Sequence, residues 1–139
     1  MTSTTRTSYR VAYADTDQMG VVYHANYLVL FERSRSDLLR KMGYSYGQME
    51  MDGFLLPVIE AHVDFYSPAR FDDLLTIGLQ AEFMGKLRIR MSCQVNRDED
   101  LLAEGYTVHT CLSTKSGKPV KFPSTFKDAV EAYRGKTHK

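Results

Sequence analysis

Between residues 15 and 26 the chain reads Asp-Thr-Asp-Gln-Met-Gly-Val-Val-Tyr-His-Ala-Asn. Two carboxylates (Asp15, Asp17), a glycine (Gly20), an imidazole (His24) and an amide (Asn26) fall within twelve residues, and an apolar run follows at once. Such clustering marks a loop that presents polar groups at the start of a helix. A carboxylate held there can act as a nucleophile or a general base, but the same residue types also serve as ordinary loop and cap acceptors for backbone N–H groups. Spacing alone leaves both roles open for Asp15, Asp17 and Asn26. It does exclude a calcium loop. Asp15, Asp17 and Gly20 fit positions 1, 3 and 6, but Met19 at position 5 offers no oxygen and Asn26 at position 12 no bidentate carboxylate.

The elements that must position this loop follow from periodicity. Ser8–Tyr13 alternates Tyr9, Val11 and Tyr13 against Ser8, Arg10 and Ala12, which predicts a half-buried strand. Tyr27–Met42 predicts a helix, with Leu28, Phe31, Leu38, Leu39 and Met42 at helical spacing and Gly43 as its stop. The first half, Tyr27–Phe31, is apolar all round, whereas the second carries Glu32, Arg33, Arg35, Asp37, Arg40 and Lys41. The beginning is therefore expected to be enclosed and the end solvated. A short helix over Ser45–Met51 leads into strands over Pro57–Phe65, Leu75–Phe83, Leu87–Asn96 (turning at Gly85) and Leu101–Ser113. A terminal helix is expected over Phe122–Tyr133 and a frayed tail over 134–139.

One strand, a long helix and four further strands predict a single two-layer α+β domain spanning 1–139, its core about 8–126, with the sheet curled around the helix. An all-round apolar half-helix exceeds what one such sheet covers, so a homo-oligomer is expected.

Composition narrows the function classes. With 43% hydrophobic and 25% charged residues in a chain of 139, a folded domain with a real core is expected. A formal net charge of +1 offers no electrostatic reason to bind nucleic acid or an anionic membrane. The longest charge-free apolar run, Gly20–Phe31, is too short for a membrane span, and Met1–Thr7 lacks the apolar core of a secretory signal, so a cytoplasmic location is expected. Cys93 and Cys111 lack metal-type spacing and read as reduced, buried thiols. No nucleotide-binding glycine motif is present, and neither a cofactor nor a metal is expected. His62 and His109 read as solvated or satisfied strand histidines, and Glu32 as a solvated or ion-paired helix residue.

Four segments together carry a resemblance: Tyr13-Ala-Asp-Thr-Asp17, Gly20-Val-Val-Tyr-His-Ala-Asn-Tyr27, Phe31-Glu-Arg33, and Tyr66-Ser-Pro-Ala-Arg70 followed by Asp72-Asp73. In these the chain resembles the 4-hydroxybenzoyl-CoA thioesterase family, in its YbgC-like acyl-CoA thioesterase branch, over roughly Tyr9–Pro123. The resemblance implies a hotdog fold, in which a five-stranded antiparallel sheet wraps a long helix. It also implies assembly as homodimers or homotetramers with active sites between subunits. It makes Asp17 the catalytic aspartate and His24 the residue whose backbone N–H polarises the thioester carbonyl. Gly20, Val21, Tyr23 and Asn26 of the motif would then contact substrate, which is an acyl-CoA. Gln18-Met19, between the second aspartate and the glycine, falls at a variable position of the family.

A thioester suits a single carboxylate, because its leaving thiol has a pKa near about 8.5 and needs no strong acid. Free N–H groups and the positive dipole end at the helix start, near His24 to Asn26, would hold the oxyanion. The imidazole of His24 can shape the site, bond Asp17 or aid proton transfer. Arg70, Lys86, Arg88 and Arg90 are candidates for the phosphates of CoA, against the plain reading that strand faces toward water carry Lys and Arg. Two rival functions stand beside hydrolysis: a noncatalytic acyl-thioester-binding module on the same fold, and a hydratase. The hydratase would need a paired histidine and acid rather than one acid at the helix entrance.

Overall fold

The structure is a computed structural model and describes residues 5–136, with side chains through Tyr133; residues 137–139, the end of the expected frayed tail, lie outside the described residues. Strand β1 (Thr5–Arg10) is followed by one 3-10 turn, Tyr13–Asp15. The strand lies three residues earlier than alternation predicts. The Asp15 carboxylate accepts the Ala12 N–H at 2.7 Å and curls the chain, which leaves Tyr13 78% exposed.

Helix α1 (Asn26–Met42) ends at Gly43, with the Tyr44 N–H reaching back to the Leu39 carbonyl at 3.0 Å. Helix α2 (Tyr46–Met51) is capped by Ser45, whose hydroxyl accepts the Gln48 N–H at 3.2 Å. Strands β2 (Phe54–Leu55), β3 (Val58–Phe65), β4 (Leu74–Met84), β5 (Arg88–Arg97), β6 (Asp100–His109) and β7 (Leu112–Ser113) follow, then helix α3 (Ser124–Lys136). The main sheet is antiparallel in the order β1-β4-β5-β6-β3, and β2 pairs with β7 in a separate ribbon. The strand expected over Leu101–Ser113 is thus two strands. Thr110 donates its N–H to Pro57, and Leu112–Ser113 then turns to pair with β2, a two-residue strand too short to show periodicity.

The inner sheet face is built from Leu75, Ile77, Leu79 and Ala81 of β4 and Ile89, Met91, Cys93 and Val95 of β5, all buried in one cluster with Leu30, Phe31, Leu38 and Leu39 of α1. Each large side chain so buried contributes about 1.5–3 kcal/mol. The two cysteines are free and buried, and burial pushes the Cys93 thiol up to about 12 and that of Cys111 up to about 11. Gly105 pairs with both Cys93 and Val63. A Cβ there would collide with the His62 carbonyl, so β3 and β6 approach as closely as they do only because this residue has no side chain.

Helix α1 departs from expectation in which of its halves is enclosed. Leu28 and Val29 are 39% and 43% exposed, whereas Ser34 and Arg35 are buried. The chain's own sheet leaves this stripe of the first half open, and the turn carrying Arg35 packs against α2 and β6. Strand β3 is likewise an open edge, with Val58, Ile59 and Phe65 about half exposed.

Candidate active site

The loop between β1 and α1 is a small closed structure. Thr16 bridges to Val22, the Asp17 N–H donates to Val21, and Gly20 closes the turn by donating to the Asp17 carbonyl at 3.0 Å. Gly20 has φ +80°, a left-handed conformation that glycine adopts without cost. Three hydrogen bonds hold the loop, one to the segment before β4 and two back to its own Asp15. Val22 donates its N–H to Ala69, Tyr23 donates its N–H to the Asp15 carbonyl, and the Asn26 amide donates to that same carbonyl at 2.9 Å.

Two aspartates sit two residues apart in different roles. Asp15 is tied to the chain before the loop: its Oδ2 accepts both the Tyr9 hydroxyl at 2.6 Å and the Ala12 N–H at 2.7 Å. Asp17 has one oxygen, Oδ1, turned into its own loop, where it accepts the Met19 N–H at 2.8 Å and the Val21 N–H at 3.4 Å. Oδ2 makes no hydrogen bond among the described residues, so the carboxylate is oriented through one oxygen and available through the other.

Ala25 occupies the N-cap of α1 and supplies no side-chain cap. The first N–H groups with protein partners are those of Asn26, Tyr27 and Leu28, which leaves the His24 and Ala25 N–H groups without acceptors among the described residues. Free N–H groups at the positive end of a seventeen-residue helix are donors for a developing oxyanion. The His24 imidazole is exposed and lies 4.5 Å from the Tyr23 ring, centroid to centroid. It makes no hydrogen bond to Asp17. Beside it, Val21, Tyr27, Phe65 and Pro68 help line an open cavity of about 280 Å³.

Of the basic candidates, only Arg70 joins this loop in the same chain, through a backbone bridge to Val21. Its N–H donates to Asp73 at 2.8 Å, and Asp73 also accepts from Arg97 at 2.8 Å. Burial acts to raise the Asp73 pKa, but these bonds outweigh it and hold the carboxyl below its usual range. Lys86, Arg88 and Arg90 stand at or near the far end of the β4–β5 hairpin, roughly 30 Å along the strand from the Asp17 loop. Arg90 lies on the outer sheet face, its guanidinium 3.8 Å from the Tyr106 ring centre. His62 pairs with Asp64 at 3.1 Å, Glu32 is exposed, and no group of three or more potential metal ligands occurs among the described residues.

Periodicity missed one polar group of consequence. Arg35 follows Phe31 by four residues and precedes Leu38 by three, so it occupies a core position of the helix, and that spacing is the signal that could have found it. Its Nε donates to the Tyr46 hydroxyl at 2.9 Å and Nη1 to the Thr107 hydroxyl at 3.4 Å. Thr107 lies 2.9 Å from His109 Nε2, and His109 Nδ1 lies 3.1 Å from the Leu56 carbonyl. A carbonyl only accepts, so Nδ1 carries the proton and Nε2 accepts from Thr107. Burial foremost, with the charge of Arg35 acting in the same direction, lowers the His109 pKa to about 4.

A long helix held by a five-stranded antiparallel sheet, with a free carboxylate before the helix and free N–H groups at its start, defines a hotdog domain of the thioesterase type. The chain belongs to the thioesterase-like superfamily, which matches residues 11–130. It is 34% identical to the acyl-CoA thioester hydrolase YbgC of Escherichia coli over 117 residues, which is 84% of this chain and 87% of that protein. The 1,4-dihydroxy-2-naphthoyl-CoA thioesterase of Synechocystis superposes with a TM-score of 0.86 at 28% identity, covering 91% of this chain and 95% of that one. A Thermus thermophilus protein superposes with a TM-score of 0.85 at 34% identity, covering 94% and 98%. No helix among the described residues is long and apolar enough to cross a membrane.

Proposed function

We propose that this chain is an enzyme that hydrolyses an acyl-CoA thioester to the free acid and CoA, with Asp17 as the catalytic carboxylate. The observation that carries the reading is the pairing, within one closed loop, of a carboxylate oxygen without a partner and two N–H groups without acceptors. The thioester oxygen is bound by the His24 and Ala25 N–H groups, where negative charge develops as the carbonyl becomes tetrahedral. Two routes share this geometry. In the first, Asp17 Oδ2 attacks the carbonyl carbon, the thiolate leaves, and water hydrolyses the resulting mixed anhydride. In the second, Asp17 takes a proton from water as that water attacks, and returns it to the departing thiolate. Single turnover in ¹⁸O-water identifies the first route where label enters the Asp17 carboxylate, by water attack at the aspartyl carbon of the anhydride; the second route never labels it. Hydrolysis itself is tested by thiol release from a panel of aliphatic and aromatic acyl-CoA thioesters. Release from none would favour a noncatalytic binding module.

Arg70 is the cation best placed for the phosphates of CoA, being bridged to the catalytic loop. Lys86, Arg88 and Arg90 reach a site only if it is completed by a hairpin from another subunit. A homo-oligomer is supported by the open β3 edge and by the exposed Leu28 and Val29, apolar surface that a second copy would cover.

A further inference from the structure

We infer that the acyl group taken by this site ends in a carboxylate, bound by the guanidinium of Arg35; this rests on the thioesterase reading above. Arg35 is only 7% exposed and, like every arginine, stays charged. Its hydrogen-bond partners, Tyr46 and Thr107, are neutral, and no carboxylate lies within ion-pair distance among the described residues. A buried cation with no counter-charge is costly unless something supplies one. Nη2 donates to nothing among the described residues, yet it is not sealed off: the buried, unsatisfied side-chain atoms among them are Ser34 Oγ and Arg90 Nε. Arg35 lines a cavity, and Nη2 is the guanidinium nitrogen left to serve a group bound there.

That cavity has a volume of about 510 Å³ and is walled by Met49, Phe54, Leu56 and Pro57. Apolar walls around one fixed polar group are the usual form of a small-ligand site. Glu32 and Glu50 also line it, but both are exposed and can turn to water, which leaves Arg35 as its buried charge.

The cavity is also placed to receive a substrate tail. Ala25, Leu28, Glu32 and Arg35 recur at three-, four- and three-residue intervals, so they lie on one face of α1. This stripe runs about 15 Å from the free N–H groups to the guanidinium. Strand β3 links the two cavities: Phe65, at its end, walls the one next to His24, and Pro57, just before its start, walls the one over Arg35. A thioester held at the helix start, its chain along Leu28, would bring its far end to Arg35.

The test compares three thioesters of equal length, decanoyl-CoA, 10-hydroxydecanoyl-CoA and decanedioyl-CoA, on the full chain and on Arg35→Gln. Decanedioyl-CoA should exceed decanoyl-CoA in kcat/KM by about tenfold or more, the scale of a charged hydrogen-bond pair, and Arg35→Gln should bring that ratio close to one. A ratio taken on one preparation is independent of the fraction folded, so partial unfolding of the variant would not mimic the result. Turnover of decanoyl-CoA at an equal or higher kcat/KM would overturn this inference and leave the thioesterase reading standing. Preference for 10-hydroxydecanoyl-CoA over decanedioyl-CoA would give the role to Glu32 and also overturn it. Thiol release from none of the three, nor from the wider panel, would remove both.

Discussion

The Tyr9 hydroxyl donates to Asp15 Oδ2 at 2.6 Å and so ties the first strand to the loop that precedes α1. The bond raises the tyrosine's pKa and spends Asp15 on structure. Asp17, two residues on, is held only within its own turn. Replacing each with asparagine should therefore separate the two roles. Asp17→Asn is expected to lose at least about 10²-fold in kcat with little change in Tm. Asp15→Asn should lower Tm by several degrees, the equivalent of roughly 1–3 kcal/mol, and retain most turnover per folded molecule. Full turnover by folded Asp17→Asn would end the proposed mechanism.

Arg70→Ala should raise KM for an acyl-CoA several-fold with a smaller change in kcat, because a phosphate contact far from the reacting carbon acts equally in ground and transition states. The same acyl group on pantetheine, which has no phosphate, should be turned over alike by variant and parent. An unchanged KM would move the phosphate contact elsewhere, with Lys86, Arg88 and Arg90 of a neighbouring subunit next in line.

Ile59 lies on the open β3 edge and is 48% exposed. In solution the chain should sediment as a multiple of 15.9 kDa, and Ile59→Lys should shift it toward monomer by placing a charge in the covered edge. A parent chain that is monomeric and fully active would contradict the assembly.

Gly105→Ala sets a methyl group against the His62 carbonyl. The expected cost is at least about 1–3 kcal/mol, concentrated on one strand pair. Amide exchange should accelerate in β3 more than in the β4–β5 hairpin. Uniform acceleration would mean that β3 does not yield by itself.

His109 supplies a pH signature. Its folded pKa of about 4 lies below the unfolded value of 6.5, so between these pH values the unfolded chain binds the extra proton. Stability is complete above about pH 6.5 and falls as pH drops toward 4, by up to about 3 kcal/mol. His109→Gln should flatten denaturant midpoints across that window. Asp37 and Asp73, whose pKa values are lowered, contribute only at more acidic pH. A parent midpoint constant from pH 7 to 4.5 would refute the assignment.

The main elements were legible because their periods are long and clean: α1 over 17 residues, β4 and β5 over 11 and 10. The motif residues came together in one loop, as their closeness in the chain requires. The missed features depend on contacts distant in sequence. Strand β2 has two residues and exists only through β7. Tyr13 leaves the sheet because of a side-chain bond from Asp15. Arg35 looked like one of several charges on a solvated half-helix, and its burial is decided by Thr107, 72 positions later. Whether Lys86, Arg88 and Arg90 approach a site depends on assembly, which no spacing within one chain encodes.

Helix α1 has the free N–H groups at its mouth and Arg35 nine positions beyond Asn26, on a face that recurs every third or fourth residue. Inserting or deleting one residue between them would rotate everything downstream by about 100°. Arg35 would then point away from its cavity, and Phe31 or Leu38 would leave the core. Changes of length in this lineage should therefore collect elsewhere, in the exposed turn after β7 at 115–117. Across relatives the distance from Asn26 to Arg35 should stay fixed even where the residue types between them drift.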